Sequence, residues 1–296
     1  MKKFKSGFVS IIGRPNVGKS TLLNKILGQK IVIATNKAQT TRRRIKGIFT
    51  NDDAQIVFID TPGVHKPLDK MGEFLVEEAK FAITDTDLII FLVDVSTTAG
   101  RGDKWIAKNL LETDTPILMV FNKSDLIKND LKREENILSY KTLFEKNLPT
   151  FKISAKTGRN IDTLIENIIR KLPEGDLIYP EDLVSDETVR NIAKEIIREK
   201  ILENTQDEIP NASAVVIDKF EEKDDIDRIS ATIFVDQESQ KGILIGKKGT
   251  MLKKIGTEAR LEIEKMTEKK AFLELFVKVE KNWRKNSKLV EQWGRG

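Results

Sequence analysis

The sequence predicts an α/β domain, a mostly parallel sheet with helices on both faces, followed by a smaller α+β domain. Two observations carry this. Between residues 7 and 173, short and almost wholly apolar runs alternate with stretches of three- and four-residue apolar spacing. Such runs are strands buried on both faces, and the intervening spacing is that of helices packed on a parallel sheet. Beyond Pro173 the order changes, with two strand-like segments in succession before helical patterning returns.

The strands of the first domain read as FVSIIG (8–13), AQIVFID (54–60), DLIIFLVD (87–94), PILMVFN (116–122) and TFKIS (150–154), with helices over 21–27, 73–83 and 161–172. Pro173 cannot continue a helix, and EGDLIYPED after it is a turn-rich linker. The expected boundaries are 1–173, a linker at 174–184, and a second domain at 185–296. That domain reads as a helix around 187–203, strands near 213–220 and 228–235, and a helical stretch over 241–266 broken by a Gly-containing loop. A strand near 271–279 and a final basic helix carrying Trp283 and Trp293 complete it.

Composition excludes several classes of site. The 296 residues contain no cysteine and one histidine, His65, so disulfides, thiolate metal centres and His-rich metal sites are ruled out. No apolar run approaches the roughly 20 residues needed to span a bilayer. The start, MKKFKSGFVSIIGRP, is apolar over too few residues for a signal peptide and reads as the edge of a strand. A cytoplasmic monomer is expected. Charge is uneven: residues 181–240 hold 7 Lys/Arg against 17 Asp/Glu, and residues 241–296 hold 15 against 7. The basic stretch is either a face for a polyanion or a set of solvated helix faces.

Gly13-Arg14-Pro15-Asn16-Val17-Gly18-Lys19-Ser20 fits the phosphate-binding loop G-x-x-x-x-G-K-[ST], between a strand and a helix. Its glycines let backbone N–H groups close on phosphate oxygens, and the helix N-terminus, with Thr21 in its first turn, adds a favourable dipole. Lys19 supplies charge to the β- and γ-phosphates, and the Ser20 hydroxyl suits Mg²⁺. Asp60-Thr61-Pro62-Gly63 ends the strand at 54–60. A carboxylate there can hold Mg²⁺ through water, and the Gly63 N–H can meet the γ-phosphate. Asn122-Lys123-Ser124-Asp125 ends the strand at 116–122. The Asp125 carboxylate can accept from both the ring N–H and the exocyclic amine of guanine, a donor pair adenine lacks. Asn122 would brace that loop, and the Lys123 stem can lie along the base. Ser154-Ala155-Lys156 sits where backbone N–H groups can meet the guanine oxygen.

These four motifs, over residues 8–173, resemble in order and spacing those of the translation-factor-type GTPases. The resemblance implies GTP/GDP and Mg²⁺ as ligands and a switch at 36–46, where Thr40 or Thr41 completes the metal shell. Thr41 is favoured because it directly precedes Arg42, as the metal-binding threonine does in related GTPases. The arginines at 42–44 are either a partner-facing patch or a solvated loop. The glutamine that many GTPases place after D-x-x-G is replaced by Val64, with His65 beside it, so slow turnover is expected. GTPases with an apolar residue there often carry an asparagine at the position of Asn16, and some bind K⁺ with it. K⁺-stimulated hydrolysis is therefore an expectation.

In the second domain, Ile243-Leu244-Ile245-Gly246-Lys247-Lys248-Gly249 precedes a helix. It is similar to the G-x-x-G loop of KH domains, which clamps about four nucleotides of single-stranded RNA. Gly246 and Gly249 would let the RNA backbone approach, Lys247 and Lys248 would face phosphates, and Ile243, Leu244 and Ile245 would line an apolar groove. A GTPase domain followed by this module resembles the Era family of bacterial ribosome-assembly GTPases, on GRPNVGKSTLLN, KAQTTR, FIDTPGVHKP and GILIGKKGTMLKKIG. The resemblance implies a target at the 3′ end of small-subunit ribosomal RNA, partnership with the small ribosomal subunit, and peripheral contact with the inner face of the membrane. Two other readings stand beside the switch: an RNA-bound adapter that keeps the nucleotide as a fixed cofactor, and a membrane-surface GTPase whose basic tail at 281–295 meets anionic lipid.

Overall fold

The computed structural model describes residues 3–33, 44–63, 70–84, 86–206 and 209–295. The chain divides into two compact units, Met1–Leu68 with Leu75–Asp186, and Asp69–Phe74 with Glu187–Gly296.

The first unit is built on β1 (Lys5–Ile12), β2 (Ile45–Asn51), β3 (Ala54–Asp60), β4 (Leu88–Asp94), β5 (Ile117–Asn122) and β6 (Thr150–Lys152). They lie in the order β2-β3-β1-β4-β5-β6, all parallel except β2, which runs antiparallel to β3. The connecting helices are α1 (Lys19–Leu27), α2 (Lys70–Thr84), α3 (Arg101–Leu110), α4 (Asp130–Lys141) and α5 (Ile161–Lys171). Strand alternation sends β4 to two cores at once. Ile90 and Leu92 join Leu22, Leu164 and Ile168 on one face, while Ile89, Phe91 and Val93 join Ile106, Ile137 and Tyr140 on the other. Every residue of β3 and β4 is buried, which is why both read as unbroken apolar runs.

Strand β2 and helices α3 and α4 were not anticipated. In β2, Lys46, Gly47 and Thr50 dilute the apolar run. The strand is fixed by its hairpin with β3, in which Asn51 Oδ1 accepts from the N–H groups of Asp53 and Ala54 at 3.0 and 2.8 Å. The segment after Pro173 then tracks along this unit. The Ile48 N–H donates to the Val184 carbonyl at 2.8 Å, and the Ser185 hydroxyl to the Lys46 carbonyl at 2.7 Å. The Lys46 ammonium reaches the Tyr179 hydroxyl and Asp186, each at 3.0 Å, and the hydrogen bond to Tyr179 heads the contacts that hold its pKa above the ordinary lysine value. Covered this way, β2 does not present a bare edge for strand pairing.

The second unit contains α6 (Val189–Asn204), the short α7 (Ile209–Ala212), β7 (Ala214–Glu221), β8 (Ile226–Val235), α8 (Glu238–Ile245), α9 (Thr250–Thr267), β9 (Lys270–Val279) and α10 (Ser287–Arg295). Its sheet has the order β7-β8-β9, with β7 antiparallel and β9 parallel to β8. Ile229, Ala231, Ile233 and Val235 of β8 pack with Ile197, Leu244, Ile255 and Ile263 in its core. The alternate residues face the other way, and there Phe234 stacks on Trp293, with ring centroids 4.2 Å apart. Trp283 lies in a 3₁₀ turn (Trp283–Lys285) before α10, not in the final helix as expected, because Asn286 takes an extended conformation (φ −90°, ψ 106°) and separates the turn from the helix. It is fully buried, packs against Trp293, and donates from its indole N–H to the Ala212 carbonyl at 2.9 Å. Among the described residues no helix is long and apolar enough to cross a membrane.

Gln55, buried in β3, satisfies four groups at once. Its Oε1 accepts from the Ile178 and Tyr179 N–H groups at 2.8 Å each, and its Nε2 donates to Thr50 Oγ1 and the Tyr179 carbonyl at 3.0 Å. Removing it leaves partly buried backbone groups without their partner. Gln55→Ala is expected to lower stability by about 2 kcal/mol in urea unfolding and to speed amide exchange at residues 178 and 179. Unchanged stability and exchange would contradict this role.

Candidate functional site

The carboxyl ends of β1, β3, β5 and β6 lie along one edge of the first sheet, where ligands of open α/β folds sit. Each delivers one motif. The phosphate loop leaves β1 and turns into α1 at Gly18, whose φ is 99°. A side chain there would be strained by that angle, and its Cβ would stand 2.4 Å from Asn122 Nδ2. The Val17 side chain is fully buried in the core, so only its backbone faces the loop. Thr21 follows in the first turn of α1, and Asn16 is exposed on the loop's outer side with a φ of 65°.

Lys19 is buried beneath the loop, and its ammonium donates to the carbonyls of Gly13 and Arg14 at 3.1 and 3.2 Å. Burial pushes its pKa down to about 8, against the opposing pull of the Asp60 carboxylate. The Ser20 hydroxyl donates to Asp60 Oδ2 at 2.9 Å. A hydroxyl from the first turn of α1 and a carboxylate oxygen at the end of β3 form a hard donor pair, and that chemistry fits Mg²⁺. Thr61 beside them donates to the Ile11 carbonyl at 2.8 Å, which ties the D-x-P-G turn to β1. Gly63 approaches Pro15 so closely that a Cβ would lie 2.8 Å from its Cα. Thr40, Thr41, Arg42, Val64 and His65 lie outside the described residues; Arg44 lies within them and pairs with Glu78 at 3.0 Å.

The base-binding motifs converge on one amide. Asn122 Nδ2 donates to the Val17 carbonyl at 2.7 Å, and its Oδ1 accepts from the Ala155 N–H at 2.9 Å. Three loops from three strands are thus joined through one buried side chain. Lys123 takes a left-handed φ of 62° and extends its ammonium to Asp94 Oδ2 at 2.8 Å. Burial alone would raise the Asp94 pKa, but Lys123 and Ser96 hold it below the usual carboxylate range. Ser154 is buried and its hydroxyl accepts from the Thr157 N–H at 3.2 Å, whereas Asp125 and Lys156 are exposed.

Two supporting carboxylates were not anticipated. Asp94 anchors Lys123, and Asp103, fully buried at the start of α3, lies 3.6 Å from the Arg14 guanidinium. Arg14 also donates to Thr97 Oγ1 at 2.7 Å. Burial raises the Asp103 pKa, and the nearby Tyr140 hydroxyl is pushed up to about 12 by burial and by the Asp103 charge. An aspartate at a strand end, like Asp94, or in the first turn of a helix, like Asp103, is ordinary, so the sequence held no usable signal for either.

In the second unit the G-x-x-G loop turns sharply between α8 and α9. Gly246 has a φ of 71°, and a Cβ there would stand 2.7 Å from that of Met251. Lys247 and Lys248 are exposed at the tip, and Lys248 takes a left-handed φ of 53°. The expected groove lining needs correction at Leu244, which is fully buried in the core, while Ile245 is half-buried and Ile243 exposed, because a helix spreads three consecutive residues around its axis. The groove beside the loop is lined instead by Gly249, Leu252, Lys253, Arg260, Leu273 and Leu275, among others, from α9 and β9.

The sequence pattern of 50S ribosome-binding GTPases matches residues 8–123, and that of the KH domain matches residues 208–284. The chain is 49% identical to GTPase Era of Geobacter metallireducens, over 98% of each protein. It is 48% identical to GTPase Era of Rippkaea orientalis, over 98% of this chain and 92% of that one. The solved structure of Era in complex with MgGDPNP and nucleotides 1506–1542 of 16S ribosomal RNA superposes with a TM-score of 0.94 at 38% identity, covering 98% of this chain and 99% of that one. The nucleotide-binding edge and the KH-type unit thus occur together as they do in these proteins, and the chain belongs to the Era family of GTPases.

Proposed function

We propose that this chain is a GTP-hydrolysing switch whose KH-type unit binds single-stranded RNA from the 3′ region of small-subunit ribosomal RNA during assembly of that subunit. The observation that carries the nucleotide half is the Asn122 clamp, which joins the phosphate loop to both base-binding loops. The RNA half is supported by a groove beside exposed lysines at 247 and 248, and by a relative that binds nucleotides 1506–1542 of 16S ribosomal RNA.

Within this reading Asp125 selects guanine, the Lys156 backbone N–H meets its oxygen beside the Ala155 N–H that Asn122 holds, and Lys123 lies along the ring. Gly13, Asn16, Val17, Gly18 and Thr21 surround the phosphates with backbone N–H groups. Ser20 and Asp60 hold Mg²⁺, with Thr41 as the further ligand. The ion neutralises charge on the β- and γ-phosphate oxygens. Lys19 leaves the carbonyls of Gly13 and Arg14 for the phosphates, and the Gly63 N–H meets the γ-phosphate. Val64 supplies no water-orienting amide, so basal turnover is slow, and Asn16 is the candidate ligand for a stimulating K⁺.

The adapter reading differs in one respect: it requires negligible multiple turnover. For the membrane-surface reading, the two tryptophans of the basic tail, Trp283 and Trp293, are turned into the second unit, while Lys281, Lys285 and Lys288 stay exposed for anionic lipid.

Two measurements check these roles. With a free-state pKa of about 8, Lys19 must take up a proton to meet the phosphates at higher pH. GDP affinity should therefore fall as pH rises through 8, approaching about tenfold per unit. Titrations with a fluorescent GDP between pH 7 and 9 that show constant affinity would contradict the assignment. Steady-state GTP hydrolysis should be slow in Na⁺ buffer, several-fold faster in K⁺, and faster again with RNA from the small-subunit 3′ end. Equal rates in K⁺ and Na⁺ would remove the Asn16 assignment. Negligible turnover in every condition would favour the adapter.

A further inference from the structure

We propose that the outer face of β9 is a second RNA-contacting surface, on which Phe272 and Phe276 stack unpaired bases that run on from the KH groove. The inference rests on the RNA-binding reading above and extends it to a face that the G-x-x-G loop does not serve.

Strand β9 is the edge of its sheet, and its residues alternate between two environments. Leu273 and Leu275 point inward and line the groove with Gly249 and Lys253. Phe272 and Phe276 point to the opposite face, where they are 48% and 50% exposed. Two large aromatic rings on one strand thus leave about half of their area open to water. Only one strand's width separates them from the groove, so RNA passing over the β9 edge meets them directly.

Cations border both rings, with Glu221 of β7 opposite Arg228 and Asp218 bound to Thr232 beside Phe276 as the neighbouring carboxylates of that strand. Arg228 pairs in register with Phe272 across the sheet, and its guanidinium lies over that ring, 6.0 Å from the centroid. Lys270 and Lys278 are exposed on the same face at the two ends of the strand, and Glu274 is the one carboxylate that β9 places between them. Aromatic rings beside cations accept any base by stacking, because every base has a π-face. The surface adds affinity and reach, leaving sequence discrimination to the groove.

The test uses the full chain and RNA spanning the nucleotides that the structural relative binds, trimmed stepwise to about the four nucleotides a G-x-x-G groove holds. Phe272→Ala and Phe276→Ala should each weaken binding of the long RNA about tenfold, while binding of the shortest RNA that fills the groove is unchanged. Phe272→Tyr, which keeps the ring, should bind as wild type. Thermal midpoints and basal GTP hydrolysis should match wild type, since both rings are half-exposed. Unchanged affinity for long RNA, as a protein-binding face would give, overturns the proposal, and so does an equal loss at every length. If wild type binds none of these RNAs, the RNA-binding reading itself fails, a result distinct from either.

Discussion

The nucleotide-binding edge depends on the side-chain amide of Asn122. The phosphate loop, the N-K-x-D loop and the S-A-K loop leave different strands, and the backbone bond from Ser124 to Ile153 ties only the last two. One buried amide joins all three, by donating to Val17 and accepting from Ala155. Neither group can turn to water instead, so breaking the clamp leaves buried polar atoms unsatisfied. Gly18 is required by the same arrangement, because the amide occupies the space a Cβ would fill. The left-handed turn at Lys123 then aims one side chain at Asp94 and presents Asp125 outward. Guanine recognition and phosphate binding are therefore one rigid feature of the fold.

Lys19 shows how that rigidity is used. The site holds its ammonium over carbonyl oxygens, in an environment that disfavours its charge. In the proposed role a phosphate would supply the compensation that burial removed, and the lysine would interact more strongly with the nucleotide than an exposed one. The second unit works differently. Its lysines at 247 and 248 stay in water on a turn set by glycines, where the proposed RNA contact would act through reach and charge.

Much of this was legible in the chain. Strands β1, β3, β4 and β5 announce themselves because both of their faces are buried, and the motifs at their ends carry their own chemistry. Strand β2 was hidden because Lys46, Gly47 and Thr50 serve an edge covered by residues more than a hundred positions away. The contacts of Asp94 with Lys123 and of Asp103 with Arg14 are similarly long-range and leave no local pattern. Leu244 shows the opposite failure. Read in a line, Ile243, Leu244 and Ile245 form one apolar patch, but a helix sends the middle residue into the core. The groove is instead lined by leucines of β9, whose period-two alternation was visible but whose partner face was not.

The account rests on nucleotide state and RNA binding being linked in one chain. The most direct measurement is RNA affinity of the protein loaded with a non-hydrolysable GTP analogue against the same protein loaded with GDP. The account predicts a difference of about 5- to 150-fold, matched by an equal effect of RNA on the relative affinity for the two nucleotides, since linkage is reciprocal. Identical RNA affinity in the two states would contradict it and leave two binding units that share a chain without sharing free energy.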